Sequence, residues 1–186
     1  MPPLNNKHIA LVLIDVQEGF RDPLWGPRNN PSAEENIQLL LGNFRSREVF
    51  VIHVQHLSTE KLSPLRPGQP GVEFINGFTP RRGERVFQKT VNSAFIGTGL
   101  ESYLRAATIE TLVMTGFTSD HCVSTSARMA SNLGFKVVVA SDATATFQRV
   151  SYLGENIEAE LVHRVALASL SGEFAEVQTT REILNQ

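Results

Sequence analysis

Residues 115–125 read Thr115-Gly116-Phe117-Thr118-Ser119-Asp120-His121-Cys122-Val123-Ser124-Thr125 and carry the strongest structural signal in the chain. They follow an apolar run at 111–115 that predicts a buried strand, and they lead into residues 124–133, whose mixed small and apolar side chains favour a helix. The only cysteine, Cys122, therefore lies where a strand turns into a helix. Unpaired N–H groups and the helix dipole favour negative charge there, so we expect its thiol to ionise more easily than a free one. A lone cysteine is also often just a small buried apolar residue.

The composition is that of an ordinary globular protein. The 186 residues, 41% hydrophobic and 19% charged, predict one domain spanning residues 1–186 with a substantial core. A net charge of −2 argues against partners such as nucleic acid or a membrane surface. A single cysteine excludes an intrachain disulfide and a multi-cysteine zinc site. Residues 1–7 show no signal-peptide pattern and no apolar run is long enough to span a membrane, so we expect a cytoplasmic protein.

Apolar runs and helical patterns alternate along the chain. The run at 8–14 is continuous rather than alternating, which is typical of a strand buried on both faces of a parallel sheet. Further strands are predicted at 49–54, 85–88, 111–115, 135–140 and 174–177. Helices are predicted to start at Ser32 and to cover 100–107, 124–133, 156–169 and 180–184. This order predicts an α/β fold with three α/β/α layers and a mainly parallel, doubly wound sheet.

Two of the predicted helices have a defined apolar face. Ser32 is a candidate N-cap, and the helix after it would bury Ile37, Leu40, Leu41 and Phe44. The helix over 156–169 would bury Ile157, Leu161, Val165 and Ala168.

Two segments are predicted to be loops. Residues 21–31 hold three prolines and Trp25, which is either a packing anchor or a pocket wall. Residues 57–84 are rich in proline and glycine and show no period. Long loops of this kind are often functional, so we interpret this one as covering a substrate site or as a surface loop in subunit contact.

Three ionisable residues fall at or just beyond strand ends: Asp15, Lys89 and Cys122. Parallel strands would bring Asp15 and Cys122 to one sheet edge, where α/β folds bind ligands. A nucleophilic cysteine needs a base and a favourable charge, which Asp15 and Lys89 would supply. A strand-end Asp also commonly caps a turn. His121 adjoins the cysteine but points in another direction on a helix, so it is expected in a pocket wall or on the helix surface.

The sequence resembles the isochorismatase-like superfamily of cysteine hydrolases, which includes nicotinamidases, N-carbamoylsarcosine amidases and isochorismatases. Four stretches carry the resemblance and follow in the right order over nearly the whole chain: residues 13–17, Lys89 with residues 92–95, residues 116–123, and residues 141–147. The resemblance implies that Asp15, Lys89 and Cys122 form a catalytic triad. It also implies a non-proline cis peptide at Phe117–Thr118 and an oxyanion hole made by the amides of Thr118 and Cys122.

The chain departs from the family at the metal site. Nicotinamidases bind a metal through an Asp-x-His pair after the second strand and a later histidine, whereas this chain has His56-Leu57-Ser58. His53 does not replace the missing ligand, because residues three apart on a strand face opposite sides. We therefore expect no metal and no other cofactor, and nicotinamide becomes a less suitable substrate.

Three functions remain open at this point. The first is metal-independent cleavage of a small amide, carbamoyl compound or lactam through a thioester on Cys122. The second is vinyl-ether hydrolysis with Asp15 as general acid, as in isochorismatases that lack the cysteine; Cys122→Ala would spare it. The third is a non-catalytic or redox-responsive binding protein.

The expected partner is a small-molecule substrate. Its pocket would be lined by Phe20, Trp25, His56 and Phe95, together with Thr118. The resemblance also implies a homo-oligomer, either a dimer or a tetramer.

Overall fold

A six-stranded parallel sheet forms the centre of the computed structural model, which describes residues 8–186. In chain order the strands are β1 (Ile9–Ile14), β2 (Phe50–His56), β3 (Arg85–Lys89), β4 (Thr111–Phe117), β5 (Lys136–Ala145), β6 (Arg149–Val150), β7 (Asn156–Ile157) and β8 (Glu176–Gln178). The sheet order is β3-β2-β1-β4-β5-β8, and β6 and β7 form a separate antiparallel pair. The predicted doubly wound parallel sheet is confirmed. Residues 1–7, where the sequence shows no signal-peptide pattern, lie outside the described residues.

Helices cover both faces of this sheet. They are α1 (Ala33–Ser46), α2 (Leu100–Ala106), α3 (Ser124–Asn132), α4 (Ala159–Ala168) and α5 (Thr180–Leu184). One core cluster joins alternate β1 side chains to α1 and α5, and the other joins the remaining β1 side chains to α2, α3 and α4. The three predicted layers are therefore present. Within residues 8–186, no helix combines the length and the apolar character needed to cross a membrane.

Helix α1 has the buried face and the N-cap residue that the sequence predicted. Ile37, Leu40, Leu41 and Phe44 are all buried, as their spacing indicated. Ser32 occupies the N-cap position, as predicted, although its side chain makes no capping hydrogen bond.

Helix α4 is shorter than predicted, and the helix face that was predicted to be buried is exposed to solvent. Residues 156–157 belong to strand β7, and the helix begins only at Ala159. Leu161 and Val165 are 52% and 59% exposed, so the predicted apolar face is wrong. The side chains that turn inward instead are Ala159, His163, Ala166 and Leu167; Leu167 joins a core cluster, and the His163 ring bonds the buried Ser119 hydroxyl at 2.9 Å. Leu161 and Val165 therefore form an apolar stripe on the surface of α4.

Residues 57–84 pack against the chain that follows Asp15. Ile75 N donates to Val16 O at 3.1 Å, and Glu18 N donates to Glu73 O at 2.8 Å. Gly71 touches Gly19 so closely that a Cβ on Gly71 would lie 2.8 Å from the Gly19 Cα. This loop is therefore anchored beside the carboxyl edge of the sheet.

Candidate active site

Four neighbouring strands deliver one polar side chain each to the same edge. Asp15 follows β1, His56 and Lys89 end β2 and β3, and Cys122 lies just beyond β4. His56 and Lys89 are direct register partners across the two parallel strands. The structure thus brings Asp15, Lys89 and Cys122 together, at the edge where open α/β sheets bind their ligands.

The Lys89 ammonium lies at the centre of this group. Its Nζ is 2.7 Å from Asp15 Oδ2, 3.0 Å from His56 Nδ1 and 3.2 Å from Cys122 Sγ. The side chains of Lys89 and Asp15 are both fully buried. An ammonium has three N–H donors, and these three acceptors use all of them. Lys89 is therefore held in one place, next to both a carboxylate and a thiol.

Asp15 combines a strained backbone with an unused oxygen. Its φ of +53° lies in the left-handed region, which is uncommon for a residue other than glycine and often marks functional sites. Burial raises the pKa of its carboxyl group, and the neighbouring Lys89 cation opposes that effect. Among the described residues, no group makes a short hydrogen bond to the buried Oδ1, which is available to accept a proton.

The expectation that the Cys122 thiol ionises easily is wrong. Burial of its side chain raises the pKa of the thiol, the Asp15 carboxylate raises it further, and Lys89 offsets only part of the increase. The sulfur lies within 4.8 Å of an Asp15 carboxylate oxygen. Desolvation here outweighs the favourable helix dipole. Cys122 therefore carries a neutral thiol near pH 7, with the Asp15 carboxyl group beside it.

His56 faces the site whereas His53 does not. Burial and the nearby Lys89 cation lower the pKa of His56 to about 4, so the ring is neutral near pH 7. His53 Nε2 bonds Glu84 Oε2 at 2.8 Å instead. The two histidines therefore have different partners, as their spacing on the strand predicted.

Three of these side chains have the donor atoms of a metal site. One atom each from Asp15, His56 and Cys122 lies within 4.8 Å of the others. The sequence did not predict this trio. The Lys89 ammonium is bonded to all three residues, so a metal ion would have to displace it.

The turn before Cys122 is tightly packed against β1. Gly116 has a φ of +107°, and a Cβ at this position would lie 2.0 Å from Ile14 O. The following peptide bond, Phe117–Thr118, is cis, and residues Ser119–Val123 form a π-helical turn. Gly116 thus lets the ends of β1 and β4 approach each other, which brings Asp15 near Cys122.

Gln17 is a site residue that sequence reasoning missed. Its Oε1 accepts from His56 N at 2.8 Å and its Nε2 donates to His56 O at 3.0 Å. The same Nε2 donates to Val72 O at 2.9 Å. Its place two residues after Asp15, in a stretch that carried the family resemblance, was the available signal.

The aromatic residues expected to line a pocket lie in two different places. Phe20 and Trp25 stack with Phe147, in the core cluster that contacts α1, and the Trp25 indole donates to Gly19 O at 2.7 Å. Trp25 is therefore a packing anchor, one of its two interpretations. Phe95 packs against the other core cluster, which contains Cys122.

Two further polar residues lie beside the cysteine. His121 is exposed and pairs with Asp120, so it belongs to the helix surface. Asn92 Oδ1 is 3.9 Å from Cys122 Sγ and is exposed, which places an amide group at the mouth of the site. Sequence reasoning gave Asn92 no role of its own.

Comparisons with known proteins agree with this architecture. A profile described as the Isochorismatase domain matches residues 9–182. The uncharacterized isochorismatase family protein YrdC of Bacillus subtilis is 43% identical over 95% of this chain and 94% of its own. A crystal structure from Chromobacterium violaceum, described as a hydrolase of the isochorismatase family, superposes with a TM-score of 0.92 at 44% identity and covers 100% of this chain and 97% of its own. The maleamate amidohydrolase of Pseudomonas putida is 27% identical over 72% of this chain and 70% of its own. The chain therefore belongs to the isochorismatase family of hydrolases.

Proposed function

We propose that this protein is a metal-independent cysteine hydrolase that cleaves a small amide or carbamoyl substrate through a thioester. The observation that carries the proposal is the Lys89 ammonium, which bonds Asp15 Oδ2 at 2.7 Å and Cys122 Sγ at 3.2 Å in a buried site. A base, a cation and a nucleophile in mutual contact are what acyl transfer by a neutral thiol requires.

The first half-reaction forms the thioester. Asp15 takes the proton of the Cys122 thiol as the sulfur attacks the carbonyl carbon, and Lys89 offsets the charge on the sulfur. The oxyanion that forms is held by the backbone N–H groups of Thr118 and Cys122. The C–N bond then breaks as Asp15 passes the proton to the leaving nitrogen, which departs as ammonia or an amine.

The second half-reaction restores the enzyme. Asp15 accepts a proton from water, whose oxygen adds to the thioester carbonyl. The C–S bond breaks, a carboxylic or carbamic acid leaves, and the sulfur recovers its proton from Asp15. Each proton removed is returned, so no outside oxidant or reductant is needed.

Two further observations support this assignment. Cys122 is only 8% exposed, so a substrate must be small enough to reach a recessed sulfur. The name of the Pseudomonas putida relative is that of an amidohydrolase, which is the same class of reaction.

The test is ammonia release from a panel of small primary amides and carbamoyl compounds, together with chromatographic detection of ring opening for lactams, which release no ammonia, with Cys122→Ala as the control. We expect turnover by the wild type, no turnover by the variant, and an acyl adduct on Cys122 in quenched reactions analysed by mass spectrometry. Equal activity of the two proteins would contradict the proposal.

A second candidate is vinyl-ether hydrolysis with Asp15 as general acid. Burial raises the pKa of this carboxyl group, which favours the protonated form that such a reaction needs. Cys122→Ala would leave this activity intact and Asp15→Asn would abolish it. Assaying both variants on a vinyl-ether substrate separates the two candidates.

We further propose that the protein forms homo-oligomers. Exposed Leu161 and Val165 on α4 support this, because together with Ile157 they line an apolar groove of about 500 Å³. Sedimentation should find a dimer or tetramer in the wild type and a smaller species in Val165→Asp. A monomeric wild type would refute it.

A further inference from the structure

His56 touches the catalytic lysine but has no step in the proposed reaction. It is the register partner of Lys89 on the neighbouring strand, so both side chains leave the same edge of the sheet. His56 Nδ1 is 3.0 Å from Lys89 Nζ, a distance that is short enough for a hydrogen bond.

The chemistry of an ammonium fixes the direction of this bond. Lys89 can only donate, so Nδ1 must be the unprotonated nitrogen and the neutral ring must carry its proton on Nε2. His56 Nδ1 is therefore an acceptor for the Lys89 ammonium.

The position of this acceptor is itself fixed. Gln17 bonds both the N–H and the carbonyl of His56, and the Gln17 side chain is fully buried. Gln17 lies two residues after Asp15 in the chain. The segment that supplies the base thus also holds the residue that accepts from the lysine.

We propose that His56 is a positioning residue whose unprotonated Nδ1 holds the Lys89 ammonium against Cys122 Sγ. Without this third acceptor the ammonium keeps its stronger bond to Asp15 and loses its fixed orientation toward the sulfur. The inference rests on the proposed function only in taking Lys89 and Cys122 as the reacting pair.

Three substitutions at position 56 isolate the role of Nδ1. In His56→Asn the Oδ1 acceptor is bonded to Cγ, as Nδ1 is in histidine, so it replaces the lost acceptor in nearly the same place. In His56→Gln the acceptor lies one bond farther out. His56→Ala has none. Asn and Gln differ by one methylene, which makes them a matched pair if the alanine variant fails to fold.

The measurement is the pH dependence of Cys122 alkylation by iodoacetamide, followed by mass spectrometry. Cys122 is the only cysteine, so every thiol adduct reports on this site, and Cys122→Ser is the blank that reveals alkylation of other side chains. We expect alkylation of His56→Ala and His56→Gln to rise at higher pH than in the wild type, with rates near neutral pH about tenfold to a hundredfold lower, as for loss of one hydrogen bond to a charged group. His56→Asn should follow the wild-type profile.

Other outcomes overturn the inference. A wild-type profile in His56→Ala would show that Lys89 needs no third acceptor. Failure of Asn to restore the profile, or equal restoration by Gln, would refute the role of Nδ1.

Alkylation needs no substrate, which keeps the two proposals separable. Wild-type protein that releases no ammonia from any amide, yet shows the expected order of alkylation profiles, would refute the hydrolase proposal and leave the positioning role in place. If the wild type hydrolyses amides and His56→Ala hydrolyses them at the same rate, the positioning role of His56 is refuted and the hydrolase proposal stands.

Discussion

Lys89 Nζ lies 2.7 Å from Asp15 Oδ2, and neither side chain has any exposed surface. Two buried opposite charges in contact compensate each other, whereas either one alone would be strongly destabilising. The ion pair therefore has a structural role as well as the proposed chemical one, and substitutions can separate the two.

Lys89→Met should lower the free energy of unfolding by about 3–5 kcal/mol, because it leaves the Asp15 carboxylate buried without a partner. The double variant Asp15→Asn/Lys89→Met should regain most of that loss, since neither charge remains. Neither variant should hydrolyse amides. Urea denaturation and ammonia release measure the two effects, and a stable but inactive Lys89→Met would contradict the structural role of the pair.

Alkylation of Cys122 should be slow in the native protein and fast in the unfolded one. Burial and the Asp15 carboxylate raise the pKa of the thiol in the folded state, so less thiolate is present at any pH below that value. The native rate should still be climbing at pH values where the urea-unfolded chain has reached its plateau. A native rate at pH 7 above that of the unfolded chain would show a lowered pKa instead.

Lys89→Ala should create a metal site. It removes the ammonium from among Asp15, His56 and Cys122, whose donor atoms lie within 4.8 Å of one another. Carboxylate, imidazole and thiolate are suitable ligands for zinc or cobalt. Added Co²⁺ should give a thiolate charge-transfer band in Lys89→Ala.

Two control proteins should lack that band. Wild-type protein keeps the ammonium between the donors, and Lys89→Ala/Cys122→Ser has no thiolate. A band of equal strength in the wild type would mean that the lysine does not block the site.

Glu84→Gln should destabilise the protein by about 3 kcal/mol at pH 7. Glu84 accepts from Arg45 Nε at 2.7 Å, from His53 Nε2 at 2.8 Å and from Arg81 N at 2.8 Å. Burial opposes ionisation, but these donors lower the pKa of Glu84 from 4.5 to about 2. As pH falls, Glu84 is protonated in the unfolded chain before it is protonated in the folded one. The contribution of Glu84 to folding stability is therefore present above about pH 4.5 and is lost between about pH 4.5 and about pH 2.

The matched control for this prediction is Glu101→Gln. Glu101 pairs with Arg105 one turn away, and both side chains are largely exposed. Its loss should change the free energy of unfolding by less than about 0.5 kcal/mol. Urea titrations at pH 7 and pH 3 test both variants. An equal loss of unfolding free energy at the two positions would show that the hydrogen bonds around Glu84 stabilise the protein no more than an exposed ion pair does.

Gly116→Ala should destabilise the protein by at least about 2 kcal/mol and impair catalysis. The new Cβ would lie 2.0 Å from the backbone of Ile14, which must then move away together with Asp15. Gly42→Ala, in the exposed part of α1 with nothing within 4 Å, should be stabilising by about 0.5–1 kcal/mol. Thermal unfolding and turnover measure both, and a tolerated Gly116→Ala would contradict the close approach of β1 and β4.

The failed prediction for α4 shows where pattern reasoning stops. Leu161 and Val165 have the spacing of a buried face, but His163 turns inward to bond Ser119. Periodicity identifies which residues share a helix face, not which face the neighbouring elements cover. The prediction of an easily ionised thiol failed for a related reason, since the extent of burial around Cys122 depends on several distant segments.

The sequence alone was sufficient for the parallel sheet and for bringing Asp15 and Cys122 to one edge, because continuous apolar runs favour parallel strands whose carboxyl ends share one edge. The resemblance to the isochorismatase-like superfamily added Lys89 to this pair. The tertiary structure decided what the group can do. Hydrogen-bond distances, the neutral state of His56 and the raised pKa of the thiol depend on desolvation and on charges brought within a few ångströms, and neither is encoded in the spacing of residues along the chain.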